Sequence, residues 1–214
     1  MAEPSHLRIL TKAAKSVLMP LGITQKGRSR TWLDDQRWWL GVIEFQPSSW
    51  SKGSYLNVGA CWLWDVKDYL SFDHGNRTER FVSYASDEQF VPEAERLATR
   101  AKQRVLELRK TFKSPADVAK VMSAGPGTHW VRFHAGVAYG CCGEARKAHK
   151  SFAEVLRLGA EHDWQKDLLR RVEELDAMLS TPRIFRETIE AAILETRRRL
   201  KLRSMEIAGF CGND

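Results

Sequence analysis

The fold is decided by two neighbouring stretches, TWLDDQRWWLGVIEFQ at residues 31–46 and YLNVGACWLW at residues 55–64. The first stretch predicts a β-hairpin, because the polar residues 34–37 separate two apolar runs as a turn does. In the second stretch large apolar side chains occupy every other position, which is the two-residue period of a strand. These positions are Leu56, Val58, Ala60, Trp62 and Trp64. Together the stretches predict an antiparallel meander with one buried face.

Helices are predicted on either side of this sheet in the sequence. Apolar residues recur at helical spacing over residues 5–19, and Pro20 and Gly22 end that segment. A fourth, shorter strand is expected over residues 80–84. An amphipathic helix over residues 92–112 would cover the sheet. The predicted fold class is therefore α+β, with an N-terminal antiparallel sheet flanked by helices.

The rest of the chain has the pattern of an all-helical region that follows a linker. The linker is the Ala-Gly-Pro-Gly segment at residues 124–127, preceded by a short helix that starts at Pro115. Four helices are expected after it, over residues 129–139, 144–158, 164–179 and 184–202. We therefore predict an α+β domain over residues 1–123 and a helical region, bundled or repeat-like, over residues 124–214.

The composition favours anionic partners and a reducing compartment. The 214 residues include 34 Lys and Arg against 27 Asp and Glu, a net charge of +7, which suits nucleic acid, acidic proteins or anionic lipid. The excess is modest and spread over both halves of the chain, so the alternative is ordinary surface charge. No apolar run approaches the roughly 20 residues that span a bilayer, so no membrane association is predicted. The sequence has no secretory signal and no CxxC pair, which predicts a cytoplasmic protein with reduced thiols. The cysteines are Cys61, Cys141, Cys142 and Cys211.

Several short motifs in the first half occur in a characteristic order. They are LMPLG at residues 18–22, KGR at 26–28, QPSSW at 46–50 and NVG at 57–59. This order resembles the bacterial domain-of-unknown-function family 4304, in which a leading helix ends in PLG and a hairpin begins with KGR. The resemblance covers roughly residues 5–113 and implies a cytosolic bacterial α+β domain with no assigned chemistry.

A second resemblance lies in the helical region. Small and aromatic residues over about residues 133–156 have spacings similar to a single tetratricopeptide repeat; they are Gly136, Tyr139, Ala148, Phe152 and Val155. Repeat arrays need about three repeats to bury their faces, and residues 164–203 match the pattern poorly. The alternative is a helical appendage that packs on the first domain or on a second copy of the chain.

No arrangement of residues points to catalysis, a metal or a cofactor. The sequence has neither an H-E-x-x-H motif nor carboxylates at ligand spacing, and it lacks the G-x-S-x-G elbow of hydrolases. Residues 125–128 lack the Gly-Lys-Ser/Thr ending of a phosphate-binding loop. Cys141 would be a nucleophile only if His134 or His149 approached it as a base. We therefore predict no cofactor and no metal.

The candidate interaction surface lies in the first hairpin and the loop after it. Arginines alternate with tryptophans there, as in surfaces that grip single-stranded nucleic acid, although tryptophans in a core with arginines around it give the same pattern. Adjacent Trp38 and Trp39 should point to opposite faces of a strand, so at least one is expected outside the core beneath the sheet. Trp50, in a loop rich in serine, is a candidate hot spot for a partner, and the alternative is that it folds back over the sheet as a lid. The candidate residues are Arg28, Arg30, Trp32, Trp38, Trp39, Trp50 and Asn57.

These observations predict a non-enzymatic protein-binding or adaptor protein, for which an immunity-type partner of a toxin is one form. Because like charges across an interface cost affinity, the partner should present an acidic face. The alternative is a nucleic-acid-associated protein that uses the basic, tryptophan-rich hairpin. The second alternative is an enzyme of unrecognised type, with a pocket near Tyr55, Asn57 and the loop of Trp50. The oligomeric state is left open.

Overall fold

The computed structural model describes residues 4–207 and Phe210, and within them the chain has five strands and seven α-helices. The strands are β1 (Thr24–Gln25), β2 (Thr31–Asp35), β3 (Trp39–Gln46), β4 (Gly53–Trp62) and β5 (His74–Ser83). The helices are α1 (Ser5–Leu18), α2 (Asp87–Thr111), α3 (Pro115–Ser123), α4 (His129–Cys141), α5 (Ala145–Leu158), α6 (Asp163–Met178) and α7 (Pro182–Arg199). The predicted α+β class is confirmed.

The described residues pack into two compact units. The sheet unit comprises residues 1–62 and 69–110, and the helical unit comprises residues 63–68 and 111–214. Residues 63–68, which directly follow β4, thus belong to the helical unit, as α3 does. The predicted domain boundary after residue 123 stays a prediction.

The sheet unit contains the predicted antiparallel meander, in which the strands pair in the order β1-β2-β3-β4-β5. One face of the sheet carries the large core side chains, namely Trp32, Trp39, Ile43, Phe45, Leu56, Val58 and Trp62. Both long helices of the unit pack on this face. Leu10 of α1 lines a cavity together with Trp32, and Arg109 of α2 binds Asp34 of β2.

The prediction of a single buried face is wrong at one end of the sheet. Leu40 of β3 and Cys61 of β4 pair on the face opposite the core residues, and both are 0% exposed. The chain that leads into β5 lies on that side, where Ser71 Oγ donates a hydrogen bond to Cys61 Sγ at 3.3 Å. Phe72 also lies so close to Gly59 that a Cβ there would be 2.9 Å from its ring. Small residues in β4 therefore admit a covering segment that alternation alone does not reveal.

Two boundaries differ from the prediction. The fourth strand of the predicted meander is β5, which covers residues 74–83 rather than 80–84; as a half-exposed edge strand it needs no apolar alternation. Helix α2 starts at Asp87, ahead of the predicted residue 92, because the side chains of Ser86 and Gln89 satisfy backbone N–H groups at its start. The Gln89 backbone N–H donates to Ser86 Oγ at 3.2 Å, and the Ala85 N–H donates to Gln89 Oε1 at 3.1 Å.

The helical unit is held together by glycines that admit aromatic rings. Gly136 of α4 lies so close to the ring of Phe152 in α5 that no Cβ would fit between them. Gly140 of α4 lies equally close to the ring of Phe185 in α7. The likeness of α4 and α5 to a tetratricopeptide repeat stays a prediction. In the part of the chain that the structure covers, every helix is too short or too polar to cross a membrane.

Candidate protein-interaction surface

The loop between β3 and β4 presents a tryptophan to solvent while its own ends are fixed. Trp50 is 95% exposed, and its backbone N–H donates to Ser48 Oγ at 3.1 Å. The far end is anchored because the Tyr84 N–H donates to the Lys52 carbonyl at 2.9 Å. Gly53 follows with a φ of 141°, in a region that favours glycine, and a Cβ there would collide with Val82. We call residues 47–53 the Trp50 loop.

A cavity of about 290 Å³ opens at this loop, and we call it the loop cavity. Its walls are the Trp50 loop, His6 of α1 and Arg30, which directly precedes β2. No carboxylate among the described residues lines it. Burial, followed by the charges of Arg30 and Lys52, holds the pKa of His6 below its ordinary value. The cavity is therefore electropositive.

Tyr84 and Ser5 explain why His6 lies beside the Trp50 loop. The ring of Tyr84 lies 5.4 Å from that of His6 between centroids, while its backbone binds Lys52. The Tyr84 hydroxyl donates to Asp87 at 2.6 Å, and the Ser5 hydroxyl donates to the same carboxylate at 2.6 Å. These hydrogen bonds lower the pKa of Asp87, and the bond to Asp87 raises the pKa of Tyr84. The start of α1 is thus tied to the end of the sheet.

A second, smaller cavity continues the basic surface. It has a volume of about 150 Å³, shares Arg30 with the loop cavity and adds Arg28, over a floor that includes Trp32 and Phe45. Arg28, Arg30 and Lys52 form no ion pair with any residue from 4 to 207 or with Phe210. We call His6, Arg28, Arg30 and Lys52 the basic strip.

Three of the four tryptophans predicted for the surface are buried. Trp32, Trp38 and Trp39 are 1%, 6% and 1% exposed. Trp38 stacks on Trp62 with ring centroids 5.9 Å apart, and Trp39 meets Trp62 edge-on at 6.0 Å. The expectation that Trp38 and Trp39 alternate across a strand is wrong, because β3 starts only at Trp39 and Arg37 before them has a positive φ of 71°.

Asn57 lies on the other face of the sheet, away from the loop cavity. Its amide donates to Glu44 Oε2 at 2.9 Å and to Gln46 Oε1 at 3.0 Å. Arg77 donates to the same Gln46 oxygen at 3.0 Å, and its guanidinium lies 4.0 Å from the centroid of the Tyr55 ring. These side chains satisfy one another, so the structure places Arg28, Arg30 and Trp50 together and leaves Asn57 apart.

Sequence reasoning missed His6 and Lys52. Lys52 lies two residues after Trp50 in a segment without periodic pattern, and His6 is on a helix far away along the chain. A signal for His6 is present in the first turn of α1, where this basic residue stands and no acidic residue does. Helix N-termini favour acidic residues, so this departure could have drawn attention to His6. Only the tertiary contacts through Tyr84 place these two cations in one cavity.

The other candidate chemical groups of the described residues lie apart from this surface. Among residues 4–207 and Phe210, no three His, Cys, Asp or Glu side chains lie together as metal ligands. His134 cannot serve Cys141 through Nδ1, because that atom accepts the indole N–H of Trp64 at 3.0 Å. A groove of about 620 Å³ between α1 and α2 is lined mainly by aliphatic and hydroxyl side chains with Arg8, Lys12 and Glu95.

Comparison with known proteins adds no relative: no family model, curated protein or solved structure matches the chain. The resemblance to the domain-of-unknown-function family 4304 therefore stays a prediction.

Proposed function

We propose that this chain is a cytoplasmic, non-enzymatic binding protein whose basic strip and Trp50 engage an acidic face of a partner protein. The observation that carries the proposal is the 95% exposure of Trp50 beside Arg30 and Lys52, which no carboxylate of the described residues neutralises. A tryptophan removes 150–250 Å² of surface from water when it is buried, and such residues dominate the binding energy of interfaces. The described cysteines are thiols, which supports the proposed compartment.

Charge supports an acidic partner. Cations around a central aromatic group speed association with a negative surface and reject a positive one. The strip supplies Arg28, Arg30 and Lys52 within two adjoining cavities, so the attraction acts where Trp50 docks. The partner we propose therefore carries aspartate, glutamate or another anionic group around an apolar socket for the indole ring.

A protein partner is favoured over single-stranded nucleic acid. Proteins that grip single strands stack successive bases on several aromatic rings along a basic groove. Next to the basic strip only Trp50 is exposed, because Trp32, Trp38 and Trp39 are buried in this structure. One stacking ring suits a socket in a protein better than a run of bases.

The test is a paired affinity capture with the full-length chain from nuclease-treated and untreated lysate, followed by binding of the purified partner. We expect Trp50→Ala to weaken partner binding by about 2 kcal/mol or more, roughly 30-fold, while leaving the free energy of unfolding within about 0.5 kcal/mol. The double substitution Arg30→Gln and Lys52→Gln should also weaken binding. Tyr69→Ala, at a side chain that is 57% exposed, and Lys102→Gln are the matched controls.

Two outcomes would contradict the proposal. A partner that binds Trp50→Ala as tightly as it binds the wild type would show that the surface lies elsewhere. Capture of nucleic acid that disappears with nuclease, and with rising salt, would favour the alternative function, because release of counterions makes such binding strongly salt-dependent.

A further inference from the structure

We infer that the loop cavity is a binding site for the phosphate group of a phosphate monoester, presented by the partner. That the phosphate group is carried by a partner protein rests on the proposed function. The chemistry of the cavity stands on its own residues, and it can be measured with small anions alone.

The charges in the cavity match a dianion. Arg30 and Lys52 supply two formal positive charges, and no carboxylate of the described residues lines the cavity. A phosphate monoester carries about −1.5 to −2 charges at pH 7 and therefore neutralises both cations. A single carboxylate would leave one of the two uncompensated.

The hydrogen-bond donors also exceed what a carboxylate uses. Ser48, Ser49 and Ser51 add hydroxyl groups to the guanidinium fork and the ammonium group. Ser48 Oγ accepts the Trp50 N–H, so its own proton stays available for an anion. The volume of about 290 Å³ equals about ten water molecules at about 30 Å³ each, which holds a tetrahedral anion with water around it.

The backbone that carries the two cations is fixed without a ligand. The Phe45 N–H donates to the Arg30 carbonyl at 3.1 Å, and the Tyr84 N–H donates to the Lys52 carbonyl at 2.9 Å. Because only side chains need to be ordered on binding, the entropy cost is lower than for a mobile loop.

His6 gives the site a built-in reporter. Arg30 and Lys52 help to hold the pKa of His6 below its ordinary value, so a dianion between these cations should raise it. The other titratable groups near His6 are Tyr84 and Asp87. The pKa of Tyr84 is raised and that of Asp87 is lowered, so both keep their charge state between pH 5 and pH 8.

The experiment follows the imidazole signals of the full-length chain by NMR while sulfate, phosphate, O-phosphoserine, L-glutamate or chloride is added at constant ionic strength. A His6→Gln variant assigns the reporter signal among the six histidines. We expect saturable shifts with sulfate, phosphate and O-phosphoserine, and about tenfold weaker binding of L-glutamate. Because sulfate stays a dianion, its affinity should fall as the pH rises through the titration of His6, which loses its positive charge.

Variants separate a built site from general screening. Arg30→Gln should weaken sulfate binding about tenfold, since it removes a charge and the guanidinium fork. Arg80→Gln, at an exposed arginine of β5, is the matched control and should leave the affinity unchanged. Backbone amide spectra of each variant establish that the fold is retained.

The inference is overturned if chloride shifts His6 as sulfate does, if Arg30→Gln binds sulfate normally, or if L-glutamate binds as tightly as O-phosphoserine. Failure of the two proposals is distinguishable. A chain that binds no dianion but loses its partner on Trp50→Ala refutes the phosphate site alone. A chain that binds sulfate but keeps its partner on Trp50→Ala refutes the proposed function alone.

Discussion

The ion pair between Asp34 of β2 and Arg109 of α2 should hold the sheet unit together, and a double-mutant cycle can measure its contribution. Asp34 is 1% exposed, and its carboxylate accepts from Arg109 Nε at 2.9 Å and from a terminal guanidinium nitrogen at 2.6 Å. The Gln36 amide also donates to it at 2.9 Å. Arg109 further donates to the Leu21 carbonyl at 2.9 Å, so one side chain fastens α2 to two parts of the unit.

The loss in the free energy of unfolding depends on which member of the ion pair is removed. Taking one member from a buried pair costs about 3–5 kcal/mol, because the other charge is left without compensation. Arg109→Met leaves the Asp34 carboxylate buried, so we expect a loss near the lower end, about 3 kcal/mol. Asp34→Asn should cost less, about 2 kcal/mol, because the Arg109 side chain is 28% exposed and can turn its charge towards water.

The assay is urea unfolding of the wild type, both single variants and the double variant, followed by tryptophan fluorescence. We expect the double variant to be more stable than the sum of the single losses predicts, with a coupling energy of about 1–2 kcal/mol. Arg96→Met, which removes a half-exposed guanidinium from its pairs with Glu93 and Glu79, should cost less than about 1 kcal/mol. Additive losses, or a larger loss for Asp34→Asn than for Arg109→Met, would refute this account.

Two further predictions concern the helical unit. Gly136→Ala would push a methyl group into the ring of Phe152, and it should lower the free energy of unfolding by about 1–3 kcal/mol. Gly127→Ala is the control: its methyl group would make only ordinary contacts, so the free energy of unfolding should change by less than about 0.5 kcal/mol. Equal effects of the two substitutions would contradict the packing of Gly136 against Phe152. Hydrogen bonds, foremost from Arg198, lower the pKa of Glu195 to about 2. The contribution of the Glu195 carboxylate to stability is therefore present above pH 4.5 and is lost as the pH falls through 2. Arg198→Ala should raise the pH midpoint of the Glu195 carboxyl titration followed by NMR, and an unchanged midpoint would contradict this cause.

The sequence predicts the sheet well where side chains alternate and poorly where the chain leaves it. Strand β4 was expected to reach Trp64, yet it ends at Trp62. Leu63 and Trp64 continue the apolar pattern, but they belong to the helical unit, where Trp64 binds His134. That contact joins residues 70 positions apart, and no local pattern encodes it.

The candidate surface was predictable only in part, for a related reason. Arg28, Arg30 and Trp50 lie in segments whose composition suggests exposure, and the structure brings them to adjoining cavities. The buried Trp38 and Trp39 were misplaced, because the period of a regular strand was applied to residues that begin in a turn. A one-residue error in where a strand begins is enough to move an indole ring from solvent into the core.

The net charge of +7 is a sum, and the structure shows why the sum alone does not identify a binding surface. On α6 and α7 most cations lie one turn from an acidic residue, as Lys166 does beside Asp163 and Arg198 beside Glu195. Such exposed pairs add little stability, but they cancel each other's field at a distance. Arg30 and Lys52 face a cavity that no carboxylate of the described residues lines, so less of their field is cancelled before it reaches an approaching partner. The excess of lysine and arginine matters where it is left uncancelled, and that place is beside the exposed indole of Trp50.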